Sequence, residues 1–195
     1  MLQWCYKRYK LYKIRGDKVR TIYTPSELQQ ILKSIVIICD TREKKDKHII
    51  DWLESKNISY QRKKLDFADY SFMIPANTVM GTLKDKYFDK KIAVERKQHL
   101  EELSANLAQN RDRFENEFLR AKDCNKYLLI EKGSLSDIWD NAYNTQFKPA
   151  SYMASLMAFE ERYGIRTVFI PSKYSGQWMY CKFYYYLKEL LENGL

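Results

Sequence analysis

A carboxylate, a guanidinium and an ammonium group follow one another in Glu95-Arg96-Lys97, directly after the apolar residues 92–94. The apolar residues have the β-type composition of a buried strand. Because side chains alternate across a strand, Glu95 and Lys97 are predicted to project from one face and Arg96 from the other. Placing a carboxylate and an ammonium at the end of a buried strand costs free energy, because both charges lose water, unless another group binds to them. One such group would be a Mg²⁺ ion that the carboxylate binds close to a scissile phosphate.

The competing interpretation is that the strand ends at Val94 and that the charges behind it are solvated. A single Glu-x-Lys sequence is common, so alone it does not favour chemistry over this alternative. Further acids at the ends of neighbouring strands would favour a catalytic site.

Three further acids lie at or beside predicted strand ends. Asp40 and Glu43 follow the buried strand predicted at 35–39, at the carboxyl end where α/β sheets usually place functional groups. Asp69 precedes a strand that begins at residue 71. Carboxylates that converge from adjacent strands bind hard divalent cations such as Mg²⁺ or Mn²⁺. Asp69, Glu95 and Lys97 follow one another along the chain in the order acid, acid, lysine. Metal-dependent phosphodiester hydrolysis at a site of two acids and a lysine requires this order and this placement at strand ends.

The remaining elements are predicted from apolar spacing and turn residues. Thr24-Pro25-Ser26-Glu27 has the N-cap, the first-turn proline and the capping-box acid of a helix start. A helix is predicted from 100 to 121, either straight or kinked. The other predicted helices lie at 25–33, 49–56, 152–163 and 183–191, the other strands at 58–64, 127–130 and 166–170, and a turn-rich hairpin at 75–91.

Positive charge is concentrated at the N-terminus. The formal net charge is +9, and the first twenty residues carry +6 of it, because seven cations there face Asp17 alone. These cations are Lys7, Arg8, Lys10, Lys13, Arg15, Lys18 and Arg20, and they are interleaved with aromatic residues. Gly16-Asp17 between two short runs predicts a two-residue hairpin. Such a segment either binds a nucleic-acid strand or is a solvated hairpin whose tyrosines pack against the main domain.

Several classes of protein are disfavoured. The four cysteines are scattered, which disfavours zinc sites and disulfide frameworks and favours a reducing, intracellular location. The longest apolar run, residues 35–39, is too short to span a membrane, and no signal peptide is visible. The sequence has no Gly-x-x-x-x-Gly-Lys-Ser/Thr loop, so no nucleotide cofactor is expected. The expected location is the cytoplasm of a bacterium or phage-infected cell, or a nucleoid.

Three motifs carry a resemblance to a known family. On Asp40-Thr41-Arg42-Glu43, Ala68-Asp69-Tyr70 and Val94-Glu95-Arg96-Lys97, the sequence resembles the nuclease domain of the XPF family of structure-selective endonucleases. The resemblance covers about residues 35–192 and implies a restriction-endonuclease-like α/β fold with a central mixed sheet flanked by helices. Residues 1–34 would form a basic N-terminal hairpin and a lead-in helix, and residues 35–195 the nuclease domain.

The resemblance also implies a role for each motif residue. Asp69 and Glu95 would be ligands of Mg²⁺ or Mn²⁺, with Asp40 as a further acid of the metal site, and Lys97 would orient the attacking water or the transition state. The remaining motif residues are Arg42 and Arg96, with phosphate-binding or structural roles, and Glu43, in the same polar cluster.

The chain departs from the family pattern at three points. The family glycine before the motif aspartate is Ala68, and the aspartate expected four residues after the motif lysine is Glu101, carried over as a further candidate site residue. The hairpin at 75–91 lengthens the segment between Asp69 and Glu95. None of these departures removes a core metal ligand.

The function implied is that of a metal-dependent endonuclease for branched or junction DNA, such as flaps, forks or Holliday junctions, in recombination or repair. Many members of the family bind DNA through tandem helix-hairpin-helix motifs, which this sequence lacks. The basic N-terminal segment is therefore the candidate for DNA binding in their place. The apolar C-terminal helix agrees with a homodimer formed through such helices. The alternatives are a catalytically silent DNA-binding or dimerisation module and a nuclease of the same fold with another specificity. The complete set of core acids and Lys97 favours the active enzyme.

Overall fold

A computed structural model describes residues 23–193 with their side chains and, before them, the backbone of three strands. These strands are β1 (Trp4–Lys7), β2 (Lys10–Arg15) and β3 (Lys18–Ile22), which form an antiparallel sheet in chain order. The pairing of β2 with β3 confirms the predicted hairpin, whereas β1 was not predicted. The turn residues Gly16 and Asp17 and the side chains of the seven cations lie outside the described residues, so DNA binding by this segment stays a prediction.

In the described part of the chain, seven strands form the central mixed sheet. They are β4 (Val36–Cys39), β5 (Tyr60–Arg62), β6 (Tyr70–Ile74), β7 (Lys86–Tyr87), β8 (Ile92–His99), β9 (Asn125–Lys132) and β10 (Ile165–Phe169). The order is β10-β9-β8-β6-β4-β5, with β7 paired to β6. Strands β8, β9 and β10 are parallel, β6 is antiparallel to both of its neighbours in this order, and β5 is parallel to β4.

The reversed direction of β6 positions the acids. Tyr70, the first residue of β6, pairs with Cys39 at the end of β4 and with Val94 in β8. The residue after β4, the residue before β6 and the residue after Val94 therefore meet at one end of the sheet. These residues are Asp40, Asp69 and Glu95.

Among the described residues, seven α-helices cover the two faces of the sheet. They are α1 (Pro25–Lys33), α2 (Lys47–Ser55), α3 (Leu100–Leu107), α4 (Arg111–Arg120), α5 (Leu135–Trp139), α6 (Pro149–Tyr163) and α7 (Ser175–Asn193). The capping box at Thr24 is present, since the Glu27 amide donates to Thr24 Oγ1 at 3.2 Å and the Thr24 amide donates to Glu27 Oε2 at 2.8 Å. Gly164 ends α6 in the left-handed conformation, with φ at +61°. None of the described helices combines the length and the apolar content needed to cross a membrane.

The prediction of one helix from 100 to 121 was wrong, and α5 was not predicted. The chain leaves the helical conformation at Ala108, whose φ and ψ are −109° and −83°, and a second helix begins after Asn110. The break lets Phe114 and Phe118 pack in the same cluster as Leu107. Apolar spacing is continuous across the break, which is why it did not reveal two helices.

Two apolar layers enclose the sheet. One contains buried residues of α1, α2 and α7, and the other contains buried residues of α3, α4 and α6. Residues of β8 alternate between them, with Val94 in the first layer and Ala93 in the second. Each fully buried aliphatic or aromatic side chain stabilises the fold by about 1.5–3 kcal/mol relative to exposure. Helix α1 packs in the first layer on the central sheet, while the division of the chain at residue 34 stays a prediction.

Candidate active site

The two faces of β8 carry different groups, as the alternation predicted. Lys97 Nζ donates to Glu95 Oε1 at 2.7 Å and lies 5.1 Å from the ring centre of Phe114 in α4. The Arg96 guanidinium lies on the other face, where it pairs with Glu131 of β9. The strand does not end at Val94, and all three charged residues are buried, so the interpretation of a solvated strand end was wrong.

Asp69 is held against β8 by its backbone and its side chain. Its amide donates to the Val94 carbonyl at 3.1 Å, and its Oδ2 accepts from the Arg96 amide at 2.8 Å. Although Asp69 keeps part of its surface exposed, removal of its carboxyl from water and the nearby charge of Glu95 raise its pKa well above the ordinary range. Two carboxyl groups in one site cannot both ionise cheaply without a neighbouring cation.

Lys97 supplies a cation to both carboxyl groups. Burial would lower its pKa, but the charges of Glu95 and Asp69 outweigh burial and raise the pKa above the ordinary value for lysine. Lys97 is therefore protonated at neutral pH. With both acids ionised, the three side chains together carry one negative charge, which favours binding of a further cation.

Asp40 reaches the same end of the sheet but already has partners for both oxygens. Oδ1 accepts from the Arg42 amide and from Arg42 Nε, both at 2.7 Å, and Oδ2 accepts from Arg42 Nη2 at 2.9 Å and from the Leu65 amide at 2.6 Å. Burial would raise the Asp40 pKa, but these hydrogen bonds outweigh it and lower the pKa. The contacts are those of a carboxylate that positions an arginine, and the Arg42 side chain remains 56 % exposed.

Glu43 belongs to the cluster on the opposite face of β8. Its Oε1 lies 3.2 Å from Arg96 Nη2, and that nitrogen also donates to the Lys45 carbonyl at 3.1 Å. Glu131 Oε1 lies 2.6 Å from His48 Nε2. Glu43 is thus separated by the strand from Glu95 and Lys97. Glu131 had no predicted role, because nothing in its local sequence indicates which buried cation it meets.

The structure distinguishes Glu101 from its neighbour Glu102. Glu101 accepts from the Asn144 amide at 2.9 Å and lies 3.1 Å from His99 Nδ1, so it faces the loop before α6. Glu102 accepts from the Gln98 amide at 2.9 Å, and its other oxygen lies 3.7 Å from Lys97 Nζ. Sequence reasoning did not identify Glu102; the signal that could have found it is its position three residues after a helix N-cap.

Asp69, Glu95 and Lys97 line an open cleft of about 340 Å³ beneath α3 and α4. The opposite wall carries polar side chains that were not predicted, which are Asn106, Asn110, Arg113, Glu117 and Arg120. Arg42 and Arg120 also line a groove of about 640 Å³, whose other cations are Lys64, Lys90 and Lys122 beside three aspartates. The cleft therefore shares Arg42 and Arg120 with a groove in which cations outnumber acids.

The carboxylates fit a hard divalent cation. Among the described residues, no group of three or more His, Cys, Asp or Glu side chains forms a ready metal cage. Mg²⁺ does not require one, because it keeps several water ligands and commonly binds through one or two carboxylates and a substrate phosphate. Asp69 and Glu95, adjacent and oxygen-only, are a donor set of that kind.

Comparisons with known proteins concern the family and the fold of the chain. Residues 39–181 match the family model of the ERCC4 domain. Two similar solved structures are XPF from Aeropyrum pernix (TM-score 0.56, 19% identity, 80% of this chain and 66% of that one) and XPF from Aeropyrum pernix in complex with DNA (TM-score 0.57, 18% identity, 81% and 68%). At this identity the likeness concerns the fold, and the chain spans about two thirds of each solved chain. No curated protein matches the sequence.

Proposed function

Since the chain belongs to the ERCC4 domain family, we propose that it is a metal-dependent endonuclease that hydrolyses phosphodiester bonds in DNA. The observation that carries the proposal is the buried Glu95–Lys97 pair beside Asp69, whose pKa is raised, in an open cleft. Burial of one cation with two acids is costly for the fold alone, and such arrangements concentrate at functional sites.

Asp69 and Glu95 would hold Mg²⁺ or Mn²⁺. When bound, the ion would supply a water molecule of lowered pKa and would neutralise charge on the scissile phosphate. Asp69 must be ionised to act as a ligand, so its raised pKa implies that binding of the ion releases a proton. Lys97 holds Glu95 in place and directs positive charge into the cleft, where a phosphate oxygen gains charge in the transition state.

Arg42 would orient the DNA backbone. Its guanidinium is fixed by two hydrogen bonds to Asp40, while its exposed edge lines the cleft. A planar guanidinium held in this way is suited to bind phosphate oxygens through paired hydrogen bonds. The contacts of Asp40 thus support a positioning role, with metal ligation as the alternative predicted from the sequence. Arg96 and Glu43 would keep β8 in place from the opposite face.

The substrate would be branched DNA, such as a flap, a fork or a Holliday junction, in recombination or repair. Support comes from family membership and from a similar chain, XPF from Aeropyrum pernix, solved in complex with DNA. We further expect a homodimer formed through the C-terminal helices. Much of the apolar surface of α7 is used within the chain, where Phe183 and Leu187 are buried, although Tyr185 stays 59 % exposed.

The test is incubation of the purified chain with labelled flap, fork, Holliday junction, duplex and single-stranded DNA, with and without Mg²⁺. Asp69→Asn and Glu95→Gln are expected to abolish cutting and to leave binding largely intact. Glu101→Gln is the matched control, because that acid faces away from the cleft and should retain most activity. Unchanged cutting in either cleft variant would contradict the site assignment. Binding of all substrates without cutting would instead support a silent DNA-binding module.

A further inference from the structure

A buried oxygen atom without a hydrogen-bond partner lies in the wall of the catalytic cleft. It is Oδ1 of Asn106 in helix α3, a residue that lines the cleft together with Asp69, Glu95 and Lys97. Among the described residues, four buried side-chain nitrogen or oxygen atoms have no partner, and Asn106 is the only residue among those four that lines this cleft. A buried acceptor without a donor costs free energy on folding, so its retention beside the acids indicates a ligand that supplies the donor.

Helix α3 presents two flanks with different partners. On one flank, Glu101 accepts from the Asn144 amide at 2.9 Å, in the loop before α6. On the other flank, Glu102 Oε1 lies 3.7 Å from Lys97 Nζ. Asn106 follows Glu102 by four residues, and side chains at this spacing are neighbours on a helix. Asn106 therefore lies on the flank of α3 that faces the catalytic side chains.

The chemistry of an amide oxygen limits what can complete its contacts. Oδ1 is an acceptor, and Lys97 donates to Glu95 at 2.7 Å rather than to this oxygen. The phosphate oxygens of a DNA backbone are acceptors as well, so they cannot supply the missing hydrogen atom. Water ligands of a divalent cation can supply it, because Mg²⁺ commonly keeps several water ligands when it binds through one or two carboxylates.

We propose that Asn106 is a positioning residue for the divalent cation of the catalytic cleft, whose Oδ1 accepts a hydrogen bond from a water ligand of an ion held by Asp69 and Glu95. The proposal rests on the proposed function, which assigns the ion to these two acids. The amide adds an acceptor without adding charge, so it orients a water ligand and leaves the electrostatic balance of the two acids and Lys97 unchanged. Residues that hydrogen-bond to the ligands of a metal typically account for about 10–100-fold in its affinity.

The test measures Mn²⁺ binding by isothermal titration calorimetry without DNA, and thermal unfolding without metal. Asn106→Leu replaces the amide by an apolar group of similar size. It should weaken Mn²⁺ binding about tenfold, because a water ligand of the ion loses its acceptor. The same change should raise the unfolding temperature of the metal-free protein, because it removes a buried acceptor that has no partner. A merely structural amide would give the opposite pair of results, a lower unfolding temperature and an unchanged Mn²⁺ affinity.

Two further variants serve as rescue and control. Asn106→Asp keeps an acceptor oxygen at the same position and should bind Mn²⁺ at least as tightly as the wild-type chain. Asn110→Leu removes an amide from the same wall of the cleft, at a residue that is exposed and forms no side-chain capping hydrogen bond. It should change Mn²⁺ affinity less than about twofold, as expected of an exposed residue without specific contacts.

Two outcomes would overturn the proposal alone. The first is an unchanged Mn²⁺ affinity in Asn106→Leu, or an equal loss in Asn110→Leu. The second is weaker binding of duplex DNA by both Asn106→Leu and Asn106→Asp with unchanged Mn²⁺ affinity, which would identify an amide group that donates to DNA.

The calorimetry also separates this proposal from the proposed function. A wild-type chain that binds no Mn²⁺ would overturn both. Weaker Mn²⁺ binding in Asn106→Leu, in a wild-type chain that binds Mn²⁺ but cuts no DNA, would support the role of Asn106 and contradict the nuclease activity.

Discussion

Lys97 Nζ lies 2.7 Å from Glu95 Oε1, and each of the two side chains is only 8 % exposed. Asp69 shares this environment, where burial of its carboxyl group and, after that, the nearby charge of Glu95 raise its pKa. When both acids are ionised, Lys97 offsets one of their two negative charges, which leaves one negative charge for a further cation.

Lys97→Met should destabilise the protein strongly in the absence of divalent metal. Removal of one partner of a buried ion pair typically costs about 3–5 kcal/mol, because the other charge is left unpaired. Urea unfolding with and without Mg²⁺ would measure this cost, and added Mg²⁺ should recover part of it. Lys47→Met is the matched control, since Lys47 pairs with Asp51 on the surface and its loss should cost less than about 1 kcal/mol. Equal costs for the two variants would contradict a buried, functional pair.

Asp69→Asn should raise the free energy of unfolding at neutral pH without metal. Because folding raises the Asp69 pKa, the folded protein holds a proton that the unfolded chain has lost, so stability falls as pH rises from about 4 to the raised folded pKa. Each pKa unit corresponds to about 1.4 kcal/mol. The gain from Asp69→Asn should therefore disappear below about pH 3, where the wild-type carboxyl is largely protonated in both the folded and the unfolded state. Thermal unfolding across this range would measure it, and a gain independent of pH would argue against the raised pKa.

Arg96 and Glu131 should show a large coupling energy in a double-mutant cycle. Arg96→Met leaves Glu131 buried without this arginine, which is expected to lower the free energy of unfolding by about 3–5 kcal/mol. The double variant with Glu131→Leu should lose less free energy of unfolding than the sum of the two single variants. The control is the cycle for Arg113, which is exposed, and Glu117, which is partly buried, with an expected coupling of about 0.2–1 kcal/mol. Additive costs for the first pair would show that the pairing contributes little.

Ala68→Gly should be tolerated far better than Ala93→Gly. Both alanines are buried in the same apolar layer, but Ala68 has φ at +61°, where an L-residue with a side chain is strained by about 1–2 kcal/mol. Glycine relieves that strain at Ala68, which offsets the lost methyl group and the greater freedom of the unfolded chain. At Ala93 nothing offsets these losses. Chemical denaturation should show a difference of about 1–2 kcal/mol, and equal costs would contradict the strain.

Replacement of the seven N-terminal cations by glutamine should weaken DNA binding and make its salt dependence shallower. Each lost phosphate contact reduces the slope of log affinity against log salt by about 0.9. Filter binding at several salt concentrations would measure the slope. A variant in which Lys47 and Lys188, both paired with acids, become glutamine should keep the wild-type slope. If the slope is unchanged in the variant that lacks all seven cations, the N-terminal hairpin does not bind DNA and only packs against the main domain.

Local sequence was informative wherever the signal is local. The capping box at Thr24, the end of α6 at Tyr163 and the opposite orientation of Glu95 and Arg96 depend on neighbouring residues, and all three are confirmed. The break between α3 and α4 was missed, because both helices present apolar residues at the same spacing. The central mixed sheet flanked by helices was correctly expected from the resemblance at the three motifs.

The sequence by itself determined which residue types are available for chemistry, and the periodicity of β8 determined the face to which each of them projects. Only the tertiary structure decided which acids meet. The reversed strand β6 brings Asp69 to Glu95, whereas the oxygens of Asp40 are used by Arg42, and Glu43 lies across the sheet with Arg96. The physical reason is that a carboxylate binds whichever donors come within about 3 Å, and strand order and register bring those donors from distant parts of the chain.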